Sequence, residues 1–208
     1  MKKIILIAGK ACAGKDTLVK TIMKDLNLPM ALSFTTRPMR TGEKQGVEYN
    51  FISDEVFWDL YEYNSLAEYT SYEVASGETW YYGLTKEELE KDDYVLAIVN
   101  PDGIRQIKEI YGDKAHIILI TADDKQRIYR YLERDSGNNV VECCRRYLAD
   151  EKDFEGMEYN FLVENNNFED ALEKLKRHLR NLKGNDLLEE IRKDFAGNSA
   201  KYIGGKNA

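Results

Sequence analysis

The six residues Lys3 to Ala8 (KIILIA), aliphatic and β-branched, run straight into Gly9-Lys10-Ala11-Cys12-Ala13-Gly14-Lys15-Asp16-Thr17. Such a run is too short to cross a bilayer and has the composition of a buried parallel strand. The chain must turn sharply after it. Gly9 and Gly14 permit backbone angles that other residues avoid, so the N–H groups between them, including those of Ala11, Cys12 and Ala13, can converge on an anion. A helix beginning near Lys15 adds its positive end, and Lys15 adds a formal charge. The spacing GxxxxGK, with a strand before and a helix after, is the phosphate-loop pattern in the context that pattern requires. It commits the chain to an α/β architecture and assigns Gly9 to Thr17 to the phosphates of a nucleotide such as ATP.

Asp16 stands where Ser or Thr normally offers a hydroxyl to magnesium. A carboxylate about 4 Å from a phosphate oxygen is repelled by about 4 kcal/mol per unit charge at an effective dielectric near 20, unless a cation intervenes. Two readings stay open. Either Asp16 contacts magnesium through water and is a candidate metal residue, or it faces outward and favours the helix N-terminus. Thr17 offers its hydroxyl to a phosphate in both cases.

A second segment, Ser33-Phe34-Thr35-Thr36-Arg37-Pro38-Met39-Arg40-Thr41-Gly42-Glu43, is equally suited to an anion, because planar guanidinium groups make paired, charge-assisted bonds to phosphate oxygens. With Gly46-Val47-Glu48-Tyr49-Asn50-Phe51 and Trp80-Tyr81-Tyr82-Gly83, the chain resembles the guanylate kinases from about Lys3 to Leu182. That resemblance implies transfer of the terminal phosphoryl group of ATP, carried with Mg2+, onto GMP or dGMP. It places the acceptor phosphate on Ser33, Arg37, Arg40, Tyr49 and Tyr82, and the guanine edge on Glu68, whose carboxylate can accept from N1–H and N2–H2 together. It also implies an α/β P-loop kinase core with a parallel sheet flanked by helices (1–33 and 85–183), a small β-rich nucleoside-monophosphate lobe (34–84) and a helical lid (about 122–153).

Departures from the family pattern bear on base and metal. Leu84 replaces a Ser or Thr that helps read the base; Thr85 beside it also forms a capping box with Glu88. Ile98 and Asn100 replace an acidic pair, so Asn100 brings a hydrogen bond to the acceptor site without charge. Asp102 is a substitute only if the Pro101-Asp102-Gly103 turn is re-registered. A kinase for another nucleoside monophosphate is therefore an alternative reading. A non-catalytic binding module is a third, which the intact phosphate loop opposes.

In the lid segment, Arg130 and Arg134 lie four apart on one helical face and Arg146 follows in a second helix. The resemblance makes Arg134 and Arg146 the groups that close on the transferring phosphates, with Lys15 as the third catalytic cation and Arg130 as their partner on ATP. The interspersed acids also fit an ordinary salt-bridged surface. Asn165, after a short strand near 160–164, falls at the family's place near adenine; the alternative is a helix cap.

Strands are expected near 3–8, 30–34, 94–99, 116–121 and 160–164, with one helix near 54–62 inside the lobe. A net charge of −7 without a long basic stripe opposes nucleic-acid binding. Cys12, Cys143 and Cys144 show no metal spacing. No membrane segment is read, and a soluble cytoplasmic protein is expected. Lys183-Gly184-Asn185-Asp186 is expected to break the preceding helix. The C-terminal extension, 184–208, is expected to be helical over 187–195 and flexible from Ala196.

Overall fold

The computed structural model describes residues 3–73, 77–134 and 140–203; the side chains of Arg134, Glu142, Asp186, Leu187 and residues 189–203 lie outside that description. In chain order the elements begin with β1 (Lys3–Ala8), α1 (Lys15–Leu26), β2 (Phe34–Thr35), β3 (Asn50–Phe51), α2 (Asp54–Glu62), β4 (Leu66–Glu73), β5 (Thr79–Thr85) and α3 (Lys86–Glu90). They continue with β6 (Tyr94–Ile98), α4 (Pro101–Tyr111), β7 (Ala115–Thr121), α5 (Asp124–Arg134), α6 (Val140–Asp153), β8 (Phe161–Glu164) and α7 (Phe168–Ile203).

The first sheet is parallel, in the order β6-β1-β7-β8. β1 is central, so both its faces are covered, and this is why KIILIA carries no polar alternation. Ile5 and Ile7 point to one side, where Leu18, Val19 and Ile22 of α1 meet Leu172, Leu175 and Leu179 of α7. Ile4, Leu6 and Ala8 point to the other, against Leu89, Ile104 and Ile107. The period of two in the strand thus divides one apolar run between two cores. Each fully buried Ile or Leu contributes roughly 1.5–3 kcal/mol relative to exposure.

The second sheet has the order β3-β2-β5-β4, with β2 and β5 antiparallel and β4 and β5 antiparallel across a bulge between Leu66 and Glu68. α2 begins at Ser53, whose hydroxyl accepts from the Val56 N–H. It buries Phe57, whose ring stacks on Tyr81 at 5.2 Å.

Two expectations are corrected. The strand near 30–34 is divided between the sheets: Met30 bridges Leu96 of the first sheet, and Phe34–Thr35 joins the second. The Leu32 N–H between them is held by the Glu88 carboxylate at 2.6 Å, which turns the chain from one sheet toward the other. The break at 183–186 is absent, and α7 runs on to Ile203 through Gly184. A helix-interior glycine costs only about 1 kcal/mol relative to alanine, and no proline removes a hydrogen bond here. Residues 204–208, the last part of the expected flexible tail, lie outside the described residues, as does the Asp135–Asn139 break between α5 and α6.

Candidate functional site

The phosphate loop follows β1 and ends at Gly14, the N-cap of α1, in the left-handed region at φ 87°. Cys12 also has positive φ, 59°. Gly9 is required for a different reason. A Cβ there would lie 2.2 Å from the Ile120 carbonyl oxygen of β7, so the loop can pass its neighbouring strand only without a side chain. Gly9→Ala is therefore expected to push the loop off β7 and weaken ATP binding by about tenfold or more. Calorimetric titration with ATP beside a thermal melt checks this; unchanged affinity would mean that the loop shifts freely.

Three side chains donate to carbonyls of the loop. Asn165 is 3 % exposed and donates from Nδ2 to the Ala13 carbonyl at 2.8 Å. Arg130 donates to the Cys12 carbonyl at 3.4 Å and to the Asn165 carbonyl at 2.8 Å. Arg127, 4 % exposed, donates from Nε to the Ala11 carbonyl at 3.2 Å. The capping role falls to Asn167, whose Oδ1 accepts from the Asp170 N–H, and not to Asn165. Among the described residues, the Oδ1 of Asn165 is buried without a hydrogen-bond partner, which costs about 1–3 kcal/mol.

The Lys15 ammonium lies 2.5 Å from the Gly9 carbonyl oxygen and 3.1 Å from that of Lys10. Burial pushes its pKa below the ordinary lysine value, opposed by the nearby Asp16 and Asp150 carboxylates. Asp16 and Thr17 are both exposed on the first turn of α1. Burial pushes the Tyr49 phenol above its ordinary value, with the neighbouring Tyr82 adding to the shift and Arg37 opposing it.

A cleft of about 700 Å³ opens beyond the carboxyl ends of β1 and β6. Gly9, Ala11 and Lys15 border it together with Ser33, Tyr49, Glu68 and Tyr82 from the other sheet and its approach, and with Asn100 from the turn into α4. Tyr49 and Tyr82 meet edge to face at 5.9 Å. Arg37 is 4 % exposed; its guanidinium lies 5.5 Å from the Tyr49 ring centre and donates to Glu43 at 2.8 Å and to the Pro38 carbonyl. The other Glu43 oxygen accepts from the Arg40 N–H, so one carboxylate ties both arginines of the TTRxxRxGE run together. The Arg40 side chain is exposed.

Glu68 is 7 % exposed, and burial raises its carboxyl to about 7. Gly103 makes this position possible, since a Cβ there would meet Glu68 Oε2 at 2.9 Å. Asn100 caps α4 by accepting from the Gly103 N–H at 2.7 Å, and its Nδ2 donates to the Tyr72 hydroxyl at 3.3 Å. Arg146 lies 6.0 Å from the Tyr131 ring centre on the lid side, and the side chain of Arg134 lies outside the described residues.

A family profile described as guanylate kinase matches residues 1–182. The chain belongs to the guanylate kinase family. Among its relatives are the guanylate kinase of Clostridium tetani, 30 % identical over 83 % of this chain and 83 % of that protein, and that of Prochlorococcus marinus, 29 % identical over 84 % and 95 %. A third, from Helicobacter hepaticus, is 36 % identical over 59 % of this chain and 61 % of its own length. The crystal structure of guanylate kinase from Anaplasma phagocytophilum superposes with a TM-score of 0.65 at 20 % identity, covering 86 % of this chain and 85 % of the other, an agreement of fold.

Within this guanylate kinase family member, the positions that depart from the family pattern have clear placements. Leu84 is fully buried in the core beside Leu89 and Val99, which turns an expected polar position into packing. Ile98 lines the cleft, and Asp102 pairs with Arg105 at the exposed start of α4. Sequence reasoning missed Tyr72, Arg127 and Asp150. The spacing of Arg127 from Arg130 was a usable signal, since residues three apart share a helical face. Nothing local marks Tyr72 or Asp150, whose partners are distant in sequence.

Proposed function

We propose that the protein transfers the terminal phosphoryl group of ATP to GMP or dGMP, giving ADP and the nucleoside diphosphate. The observation that carries this reading is that a phosphate-loop lysine and a buried carboxylate flanked by tyrosines border one cleft. The family relationship supports it. Gly9 to Thr17 would hold the donor phosphates. Ser33, Arg37, Arg40, Tyr49 and Tyr82 would hold the acceptor phosphate, with Glu68 accepting from the guanine edge and Asn100 beside it. Arg130, Arg134 and Arg146 would bring positive charge to the transferring group.

The division of labour follows the two sheets. Residues 1–33 and 85–183 form the core, 34–84 the acceptor lobe and about 122–153 the lid, and closure would align the nucleotides while excluding water. The acceptor phosphate is already anionic, so the chain supplies orientation and charge rather than a general base. Magnesium would arrive on ATP and offset charge on its phosphate oxygens. Asp16, exposed on the first turn of α1 next to Lys15, is the carboxylate suited to meet it through water. Asn165 would serve the donor through the loop, by fixing Ala13, and its unpaired Oδ1 suits a donor such as the adenine amine once the lid moves. No described helix is long and apolar enough to cross a membrane. A cytoplasmic location accords with a metabolic kinase of free nucleotides.

A magnesium-dependent coupled assay with GMP, dGMP, AMP, CMP, UMP and dTMP tests the reading. Turnover of GMP and dGMP alone is the expected result. Preference for another monophosphate would assign Leu84 and the Asn100–Tyr72 pair to a changed base pocket, and no turnover with any acceptor would favour a binding module.

A further inference from the structure

The phosphate loop is already engaged with the chain's own charges. The Ala11 N–H, one of the groups expected to meet a phosphate oxygen, donates to Asp150 Oδ2 of α6 at 2.7 Å. The next residue, Glu151, receives the Lys10 ammonium at 2.5 Å. Arg127 of α5 joins them, at 2.8 Å from Asp150, 3.2 Å from Glu151 and 3.1 Å from Asp124, and its guanidinium lies 5.0 Å from the Tyr147 ring centre. Lys15 is meanwhile turned onto loop carbonyls. The loop's N–H, its two lysines and the buried arginine thus all have partners supplied from within.

We propose that Asp150 acts as an internal stand-in for a phosphate: with Glu151, Arg127 and Lys10 it latches the end of α6 onto the nucleotide-free loop, and ATP binds by displacing it. This rests on the phosphate-loop reading above. A carboxylate oxygen on a loop N–H makes the same charge-assisted bond that a phosphate oxygen would make. The two cannot share the place, because like charges a few ångström apart in a partly buried site repel strongly. Entry of ATP therefore expels Asp150, and Arg127 loses one of its carboxylate partners beside the incoming phosphates. One exchange removes a carboxylate from a charge-balanced network, leaves the site cationic, and loosens α6, which then keeps only the Glu151 contacts to Lys10 and Arg127. Because Arg127 and Asp150 lie on the two helices of the lid segment, donor binding and lid movement become a single event.

The latch lowers apparent affinity by the fraction of molecules it holds shut; if nine in ten are latched, ATP binds about tenfold more weakly than to the open loop. The test compares wild type with Asp150→Ala, and with Asp150→Asn, which keeps an acceptor but removes the charge. Both are checked for folding by circular dichroism. ATP affinity is read by calorimetry, and the Ala11 amide by hydrogen exchange without nucleotide. The expected result is ATP binding tighter by about tenfold in D150A and by less in D150N, with the Ala11 amide protected in wild type and exchanging faster in D150A. Unchanged or weaker ATP binding by D150A overturns the latch and leaves the phosphate loop standing, and an unprotected Ala11 amide in wild type also overturns it. Failure of wild type and both variants to bind ATP overturns the phosphate-loop reading, and with it the ligand of the latch.

Discussion

Lys15→Met is expected to lower the turnover number by about 10²–10³-fold while GMP binding changes little. The side chain begins α1, where methionine is as good a helix former as lysine and of similar length. What is lost is the positive charge beside the loop. In the structure that charge rests on the Gly9 and Lys10 carbonyls, and removing such a bond costs about 1 kcal/mol. Burial already disfavours the charged ammonium, so methionine recovers part of that cost. Transfer is measured in the coupled assay, GMP affinity by titration and stability by melting. Equal losses of transfer, GMP affinity and melting temperature would make Lys15 a scaffold residue instead.

Glu68→Gln is expected to abolish discrimination between GMP and AMP and to change how stability depends on pH. A site built to accept two donors rejects analogues lacking them by about 10⁴–10⁵, and an amide can accept only one of the pair without presenting its own donor to the other. The carboxylate that makes this possible is costly in the empty protein. Its carboxyl lies near 7, against about 4.3 in an unfolded chain, because burial disfavours the charged form. Between these values the native state holds a proton that the unfolded state has released. Native stability therefore falls as pH rises from about 4.3 to 7, by about 4 kcal/mol in total, and stays lower above 7. E68Q should lack this slope and be the more stable protein at pH 8. Acceptor binding runs the other way: only the ionised carboxylate accepts from both guanine donors, so the GMP KM of wild type should rise as pH falls below about 7. Urea titrations at pH 5, 6, 7 and 8, paired with KM measurements, check both signs. The same pH slope in E68Q as in wild type would remove Glu68 as the buried titrating group.

Stability and the proposed recognition of guanine would thus be opposed at one residue. Gly103 and the bulge between Leu66 and Glu68 keep a carboxylate where the empty protein would be better served by an apolar side chain. Binding of a guanine edge would add two donors to the backbone hydrogen bond from Leu84 and pull the carboxyl back toward its ordinary range.

Much of the architecture was legible in the chain because it depends on local order. KIILIA with GxxxxGK specifies strand, turn and helix within a few residues, and the Ser53 and Thr85 caps begin helices where hydroxyls precede amphipathic turns. Assignment of Glu68 and Tyr82 to an acceptor site rests on resemblance, since neither residue has a local signature. Gly184 misled because a glycine among polar residues has the composition of a stop, yet its penalty is small against the cooperative extension of a long helix. The reason for Gly9 was also different from its expected one: it is needed for the 2.2 Å that a Cβ would leave to the Ile120 carbonyl, a strand more than a hundred residues away.

By itself, then, the order of residues determined the parallel α/β core, the phosphate loop and the set of arginines and tyrosines available to hold anions, because periodicity and turn chemistry act over short spans. Tertiary structure alone decided which charges meet. It carried Asp150 to the Ala11 N–H across 139 residues, enclosed Arg127 among three carboxylates, and buried Glu68 against Gly103. The physical reason is that charge pairing and desolvation depend on distance and burial, which the packing of the two sheets and the lid helices sets, and which no local pattern encodes.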